Sequence, residues 1–274
     1  MRDQALIEMF SFQTVLLVTL LLGAQESCLG LQSFFPKFSS PFQQTASAAR
    51  KTPPKSLRNL EDQLLQAIGN VGGRLANSDE INELVTSLEN QRSFSIAQPA
   101  IAPEIYGRWR LLYTTNADTA SPIQRKAIDT SKFPIYQDIT FNENNQLVVS
   151  QVVKFSDSAE LRVDALAATS AYPLPELTER TSTGKVLGLN ILGISLVGKE
   201  AEPDPSRPDS RIDFVFDEGK FDFDSFQVPY PVPFRLPILR DWVKGWIDIT
   251  WLSDRLRISR GNKGSTFILI KEDE

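Results

Sequence analysis

The feature that most constrains this chain is a change in the spacing of its apolar residues near residue 99. Before Pro99 they recur every three to four positions, and after Pro103 they recur every second position. A period of two is typical of strands that bury one face. Short runs of this kind continue to the carboxyl terminus, at 109–115, 136–141, 146–155, 161–171, 180–187, 191–197, 211–216, 220–223, 247–252, 256–260 and 265–271. Many short strands predict a mainly β chain whose antiparallel sheet closes into a barrel or sandwich.

Turn sequences separate several of these runs. Asn142–Asn145, Asp217–Gly219 and Gly261–Gly264 each lie between two apolar runs and offer Gly or Asn where a positive φ is needed. The strands should therefore follow one another as hairpins in a largely up-and-down order. No Gly-rich loop joins a strand to a helix, so a nucleotide-binding fold has no support.

Two amphipathic helices precede the strands. Apolar residues from Leu57 to Val71 have helical spacing, and the stretch ends in glycines. A second helix should begin after Asn77 or Ser78, either of which can cap it, with acidic residues in its first turn. We expect residues 56–98 to form this helical pair and 99–274 the barrel, together as one domain.

The chain contains no histidine, which excludes several kinds of chemistry. Catalytic triads, Cys-His pairs and His-ligated zinc or haem all require an imidazole. The single cysteine, Cys28, lies in a segment that we expect to be removed. No motif replaces these groups, so the sequence predicts no catalytic residues, no metal and no cofactor. It favours a binding or structural protein over an enzyme. Asp138, Asp248 and Asp254 lie in or beside strands, and an inward carboxylate in an apolar barrel is the one route to catalysis left open.

The amino terminus is typical of a targeting sequence. An apolar run at Val15–Leu22 and the small, polar stretch Ala24–Gly30 indicate a signal peptide at residues 1–30. The run is shorter than the roughly 20 residues that span a membrane, which disfavours a permanent anchor. A lipoprotein signal ending at Cys28 is also disfavoured, because polar Gln25–Ser27 precede that cysteine.

Residues 31–55 have a different composition. No acidic residue occurs between Glu26 and Glu61, whereas basic, hydroxylated and small residues are frequent. This composition is typical of an organelle transit peptide, and a disordered linker is the alternative. A signal peptide followed by a transit peptide resembles the bipartite leader of proteins imported into plastids that are bounded by extra membranes. Without residues 1–55 the chain has 24 basic and 31 acidic residues. This balance predicts no nucleic-acid partner.

Three segments resemble a known family. They are Gly107–Thr115, with a Gly-Arg-Trp-Arg-Leu start, Tyr136–Ile139, and Asp254–Ser265, which contains Leu-Arg-Ile-Ser-Arg-Gly. Together they resemble the plastid lipid-associated proteins, also called fibrillins or plastoglobulins, over residues 56–274. The resemblance implies a lipocalin-like antiparallel barrel in a plastid, at plastoglobules, thylakoid membranes or in the stroma. It also implies lipophilic ligands such as quinones, carotenoids or acyl lipids.

Alternation within the strands gives a candidate binding interior. Trp109, Leu111 and Tyr113 share one face of the first strand. In a closing strand one face carries Leu256, Ile258 and Arg260, and the other carries Arg255, Arg257 and Ser259. One arginine of this pair of faces could stack on Trp109. The alternative is that these residues only close the barrel. The predicted interior ligand-binding residues are Trp109, Leu111, Tyr113, Phe141, Phe214, Phe216, Ile258 and Arg260.

A proline- and aromatic-rich segment lies at 226–246. Aromatic side chains of this density suit either a membrane or lipid-droplet surface, or a lid over the barrel mouth. A short helix with Ile238, Leu239, Trp242 and Trp246 on one side is possible here. The predicted membrane or lid residues are Tyr230, Phe234, Trp242 and Trp246.

These observations predict a non-enzymatic carrier of a lipophilic molecule, associated with plastoglobules or thylakoids. The alternative is a coat or scaffold of plastid lipid droplets that holds no individual ligand. An enzyme of lipid or quinone metabolism is a third interpretation. The sequence leaves the oligomeric state open.

Overall fold

The structure is a computed structural model. It describes residues 55–71, 73–75, 78–115, 133–178, 190–191, 194–195, 203–230, 234–240, 243–262 and 264–272. Residues 1–54 of the predicted leader, the predicted run 180–187 and part of the predicted run 191–197 lie outside the described residues.

Two helices open the described chain, as the sequence predicted. Helix α1 spans Lys55–Asn70 and α2 spans Asp79–Asn90. Ser78 caps α2, since its side chain accepts a hydrogen bond of 3.3 Å from the Ile81 backbone N–H. Two one-turn helices occur later, α3 at Pro175–Thr178 and α4 at Pro237–Arg240.

The strands form a closed antiparallel barrel. Within the described residues the main sheet has the order β4-β3-β2-β1-β11-β10-β9-β7, and β7 pairs again with β4 to close the ring. Strand β8 extends the sheet from the far half of β7, and β5 and β6 form a separate small hairpin. The strands are β1 Gly107–Thr114, β2 Ile135–Phe141, β3 Leu147–Ser156, β4 Ala159–Ala168, β5 Asn190–Ile191, β6 Ile194–Ser195, β7 Arg211–Phe223, β8 Phe226–Pro229, β9 Lys244–Leu252, β10 Leu256–Gly261 and β11 Thr266–Lys271. The mainly β, barrel-forming fold with preceding helices is confirmed.

One end of the barrel, here called the base, is crossed by residues 95–106. The Ile96 N–H donates to the Leu252 carbonyl at 3.0 Å, and the Ala100 N–H donates to the Asp209 carbonyl at 2.8 Å. Ala100 and Ile105 are buried in the core inside the barrel. This segment therefore closes the base with apolar side chains. The opposite end, where β9 begins and the β3–β4 hairpin lies, is here called the mouth.

The two long helices cover the outside of the barrel rather than an end. Their apolar faces pack with outward side chains of β9, β10 and β11 in a second core, which is separate from the barrel interior. A buried carboxylate fixes this contact: Glu61 accepts from the Trp251 Nε1–H at 2.9 Å and from the Arg255 Nε–H at 2.8 Å. We expect this helical layer to hold three strands of the wall in place.

Bulges in β1 and β9 are among those that reverse the facing of residues within strands. In β1 the pairing with β11 slips between Leu111 and Tyr113, and in β9 the pairing with β10 slips beside Trp251. An extra residue in one strand turns every later side chain to the other face. Leu111 therefore belongs to the interior core, whereas Tyr113 and Trp251 belong to the core under the helices.

The turns bear out two of three predictions. Asn142 closes the β2–β3 hairpin by accepting from the Asn144 and Gln146 N–H groups at 3.0 Å, and Gly264 has φ +79° in the β10–β11 turn. The turn predicted at Asp217–Gly219 is wrong, because β7 runs through it without a break. Gly219 is needed there for space, since a Cβ would lie 2.8 Å from the Tyr230 Cβ.

Candidate functional site

Trp109 forms the floor of the barrel interior. The side chain has no exposed surface, and its Nε1–H donates to the Ile105 carbonyl at 2.8 Å. Gly107, two residues earlier, has φ +108°, a conformation that residues with a Cβ rarely adopt. The Gly-x-Trp sequence thus turns the chain from the base segment into β1 and directs the indole inward.

Two cations lie over the Trp109 ring. The Arg257 Cζ is 4.9 Å from the ring centroid and the Lys271 Nζ is 4.6 Å from it. Lys271 also donates to the Glu104 carbonyl at 2.8 Å and to the Tyr106 carbonyl, which ties β11 to the base segment. The prediction that an arginine of the closing strand stacks on Trp109 is confirmed, and that arginine is Arg257.

Arg257 begins a polar patch on an otherwise apolar inner wall. Its side chain is completely buried, and burial lowers the pKa of the guanidinium to about 9. Its Nη2–H donates to the Gln137 side-chain oxygen, whereas Nε and Nη1 have no acceptor among the described residues. On the same face of β10, the buried Ser259 hydroxyl also has no partner in the described part of the chain. Gln151 pairs with Gln137 across β2 and β3, and both amides are partly exposed. We call Gln137, Gln151, Arg257 and Ser259 the polar patch.

Toward the mouth the inner wall becomes aromatic. Phe214 and Phe216 follow Ile212 on the inward face of β7, and their ring centroids are 5.4 Å apart. The ring contacts continue through Phe234 (5.6 Å), Tyr230 (6.2 Å) and Phe221 (5.8 Å). Across the barrel, Phe267 pairs with Ser259. Of these rings Phe234 is buried, and the others remain partly exposed although they project inward.

In the structure, five of the eight predicted interior residues lie inside the barrel and three lie on its outer face. Trp109 and Leu111 belong to the interior core, with Phe214 and Phe216 packed against it. Phe141 also packs there, at the base, with ring contacts to Tyr106 at 5.4 Å and Tyr172 at 4.8 Å.

The inward facing predicted for the other three residues is wrong. Tyr113 and Ile258 lie under the helices, and Arg260 binds Glu89 of α2 at 2.7 Å. The bulge in β1 explains Tyr113. In β10 the other face points inward, so Arg257 and Ser259 belong to the interior although the predicted ligand-binding residues do not include them. Nothing in the alternation alone distinguishes the two faces of β10, because each carries an arginine.

The predicted membrane or lid residues do not lie together in one element. Phe234 is buried against Phe216, and Tyr230 lies over Gly219. Trp246 is in β9, where it is 9% exposed and the Arg211 Cζ lies 4.0 Å from its ring centroid. The predicted helix through Trp246 is therefore wrong, since α4 ends at Arg240. Trp242 lies outside the described residues.

Ion pairs hold residues 230 and 234–240, here called the mouth segment, close to the part of β7 near the mouth. Arg235 binds Asp217 at 2.6 Å, and Arg240 binds Asp217 at 3.3 Å and also pairs with Glu176. The Arg240 Nη1–H donates to the Phe216 carbonyl at 2.7 Å. Hydrogen bonding from Arg235 holds the pKa of the Asp217 carboxyl below its usual value. These contacts fix the mouth segment to β7.

None of the three carboxylates considered for catalysis has the inward position that the hypothesis required. Asp138 is on the outer face of β2, paired with Arg108 at 2.8 Å, and Asp248 pairs with Arg211 at 2.9 Å on the outer face of β9. Asp254 lies in the β9–β10 turn and binds Arg58. The described residues include no group of three or more Cys, Asp or Glu side chains that could hold a metal ion. In the part of the chain that is described, no helix has the length and apolar character to cross a membrane.

A cleft outside the barrel is too polar to suit a lipid. It has a volume of about 260 Å³ and lies between the β3–β4 and β7–β8 hairpins. Four carboxylates line it, from Asp157, Glu160, Asp222 and Asp224. The aromatic interior is therefore the candidate site for an apolar molecule.

Fold and interior define this chain as a closed antiparallel β-barrel protein with an aromatic inner wall. The PAP_fibrillin family model matches residues 58–270, so the chain belongs to the plastid lipid-associated, or fibrillin, family. No solved structure matches the chain.

Three relatives are similar to this chain. "Probable plastid-lipid-associated protein 12, chloroplastic" of Arabidopsis thaliana is 36% identical, with 83% of this chain and 48% of the relative covered. "Light-induced protein, chloroplastic" of Solanum tuberosum is 27% identical, with 80% and 69% covered. "Chromoplast-specific carotenoid-associated protein C1, chromoplastic" of an Oncidium hybrid cultivar is 27% identical, with 76% and 66% covered. The chain thus spans about half the length of the Arabidopsis relative.

Proposed function

We propose that this protein is a non-enzymatic plastid carrier that holds one lipophilic molecule, such as a quinone, carotenoid or acyl lipid, inside the barrel. The observation that carries the proposal is the inner wall near the mouth. Phe214, Phe216, Phe221 and Phe267 lie on the inward faces of their strands and are only partly buried, so their rings offer apolar contact surface. A concave site lined by aromatic side chains with a few polar groups is typical of small-molecule binding.

The relatives support the coarse part of this proposal. Their names describe plastid lipid-associated and carotenoid-associated proteins of chloroplasts and chromoplasts. We extend plastid localisation and lipid association to this chain, at plastoglobules or thylakoids. Residues 1–30 and 31–55 would act as a bipartite leader into a complex plastid. A fluorescent fusion of residues 1–55 in an alga with such plastids tests the leader, and secretion of the fusion would contradict it.

The mouth segment acts as a lid in this account. Phe234 contributes apolar surface above Phe216, and Arg235 and Arg240 hold the segment closed through Asp217. A membrane anchor would instead present its aromatic rings to the lipid. The burial of Phe234 and the position of Tyr230 over Gly219 therefore favour a lid.

A matched pair of substitutions tests the carrier. Phe214→Ala removes an inward ring, and Phe226→Ala removes a ring of β8 that is 56% exposed and stacks on Phe223. We expect Phe214→Ala to weaken binding of decylplastoquinone, a soluble quinone, about tenfold, because about 1.5 kcal/mol of apolar contact is lost. Phe226→Ala should leave quinone binding unchanged. Equal effects of the two substitutions would contradict binding inside the barrel.

A droplet coat is the second candidate, and the exposed apolar residues favour it. Phe226 is 56% exposed and Leu236 is 47% exposed on the same side of β7 as the mouth segment. In a coat these residues would contact the lipid surface directly. Phe226→Ala would then reduce flotation with triacylglycerol droplets, whereas Phe214→Ala would not. The two variants therefore distinguish the carrier from the coat.

A further inference from the structure

We infer that the ligand held in the barrel carries an anionic carboxylate, which binds Arg257 and Ser259 while the apolar tail extends toward the mouth. This inference rests on the proposed carrier function and specifies the chemical class of the ligand. A single-chain fatty acid has both parts.

Arg257 lacks a counter-charge within the described residues. The guanidinium is completely buried, and no carboxylate of the described residues forms an ion pair with it. A buried cation is normally paired, because transfer of an unpaired charge out of water is costly. Lys271, also inside the barrel, has backbone carbonyl acceptors, whereas Nε and Nη1 of Arg257 have none within the described residues.

The unsatisfied polar atoms of Arg257 and Ser259 indicate which kind of head group the ligand carries. Two guanidinium N–H groups and the Ser259 hydroxyl all donate hydrogen bonds, and they lie on one face of β10. A planar carboxylate offers acceptors that match a guanidinium. An uncharged quinone carbonyl would supply an acceptor but would leave the charge unpaired. The donor set therefore favours an anion over a neutral head group.

A ligand also needs a path to the buried Arg257 side chain. Arg257 has no exposed surface, so a ligand can reach it only by moving a neighbour. Among the described residues its acceptor is the amide oxygen of Gln137, a neutral and partly exposed residue on the inner wall. We infer that this amide occupies the position of one carboxylate oxygen and rotates aside when the ligand binds. Gln151, paired with Gln137, provides a further polar side chain beside that path.

The remainder of the site suits the tail. Phe267 pairs with Ser259, and the rings of Phe214 and Phe216 continue the apolar wall to the mouth segment. A long acyl chain needs such an apolar path from a polar end. The polar patch at the floor and the aromatic wall above it therefore fit an amphipathic molecule with its carboxylate inward.

The test compares two ligands with one tail. Oleate and methyl oleate are titrated into the full-length chain and into Arg257→Met, which keeps an unbranched apolar stem beside Trp109. We expect the wild-type chain to bind oleate at least tenfold more tightly than methyl oleate, in line with a charge-assisted hydrogen bond. Arg257→Met should bind the two ligands equally. Decylplastoquinone is titrated into the wild-type chain as a third ligand.

A second variant protects the test from a folding failure. Ser259→Ala removes a hydroxyl that has no partner, so it should fold normally, and it should reduce the preference for oleate about threefold. Equal binding of oleate and methyl oleate by the wild-type chain would overturn the carboxylate site but leave the carrier intact. Failure of all three ligands to bind would overturn the carrier itself. Tight binding of oleyl phosphate but not of oleate would identify a phosphate head group and also overturn the inference.

Discussion

Replacing Trp109 by alanine should remove most of the stability of the barrel. The indole has no exposed surface, and substitutions of this kind typically cost about 3 to 5 kcal/mol in lost burial and cavity formation. The Ile105 carbonyl also loses its donor, which adds about 1 kcal/mol. Arg257 loses its ring contact as well. We expect the free energy of unfolding to fall by about 4 to 6 kcal/mol, which is comparable to the whole stability of many domains.

Urea unfolding followed by far-ultraviolet circular dichroism measures this change without relying on tryptophan fluorescence. Trp109→Phe is the matched control, because it keeps a ring below Arg257 and loses only the N–H and part of the volume. It should cost about 1 to 2 kcal/mol. A loss below about 1 kcal/mol in Trp109→Ala, with an unchanged m value, would show that the indole is not the floor of the barrel.

Three other substitutions test separate contacts. Glu61→Ala should cost about 3 kcal/mol in urea unfolding, because it leaves the Trp251 N–H and the Arg255 guanidinium without their buried acceptor; a neutral effect would show that the helices do not depend on this carboxylate. Gly107→Ala should cost more than about 1 kcal/mol, since its φ of +108° strains any residue with a Cβ, and an unchanged melting temperature would contradict that conformation. Asp217→Asn should speed ligand release in a stopped-flow assay by loosening the mouth segment. Because the folded pKa of Asp217 is lowered, its stabilisation should be complete above the unfolded pKa of about 3.9 and be lost as pH falls from there through the lower folded pKa; an Asp217→Asn release rate equal to that of the wild-type chain at pH 7 would contradict the role of this carboxyl.

Local patterns in the sequence predicted the helices and most strands because the signals for them are local. Ser78 caps α2 as expected, and the Asn142 turn forms because its side chain accepts from the backbone. The alternation in the closing strand also predicted that an arginine stacks on the Trp109 ring. These features depend on a few neighbouring residues, so they can be read without knowledge of the tertiary structure.

The facing of residues within strands depends on longer-range pairing. The bulge that turns Tyr113 outward arises from the slip of β1 against β11, which alternation along β1 alone does not show. Ile258 is buried on the outer face of β10 because the two helices pack over that strand. Likewise, β7 continues through Gly219 because Tyr230, eleven residues later, packs over it. Each correction follows from a contact between segments that are distant in sequence.

Native mass spectrometry of the full-length chain tests most directly whether a lipophilic molecule is bound inside the barrel. The chain is expressed, purified without detergent, and measured intact, and the bound molecule is then extracted and identified. We predict one lipophilic molecule per chain, retained by Phe226→Ala and depleted in Phe214→Ala. A chain that carries no molecule and still floats with lipid droplets would contradict the carrier and support the coat.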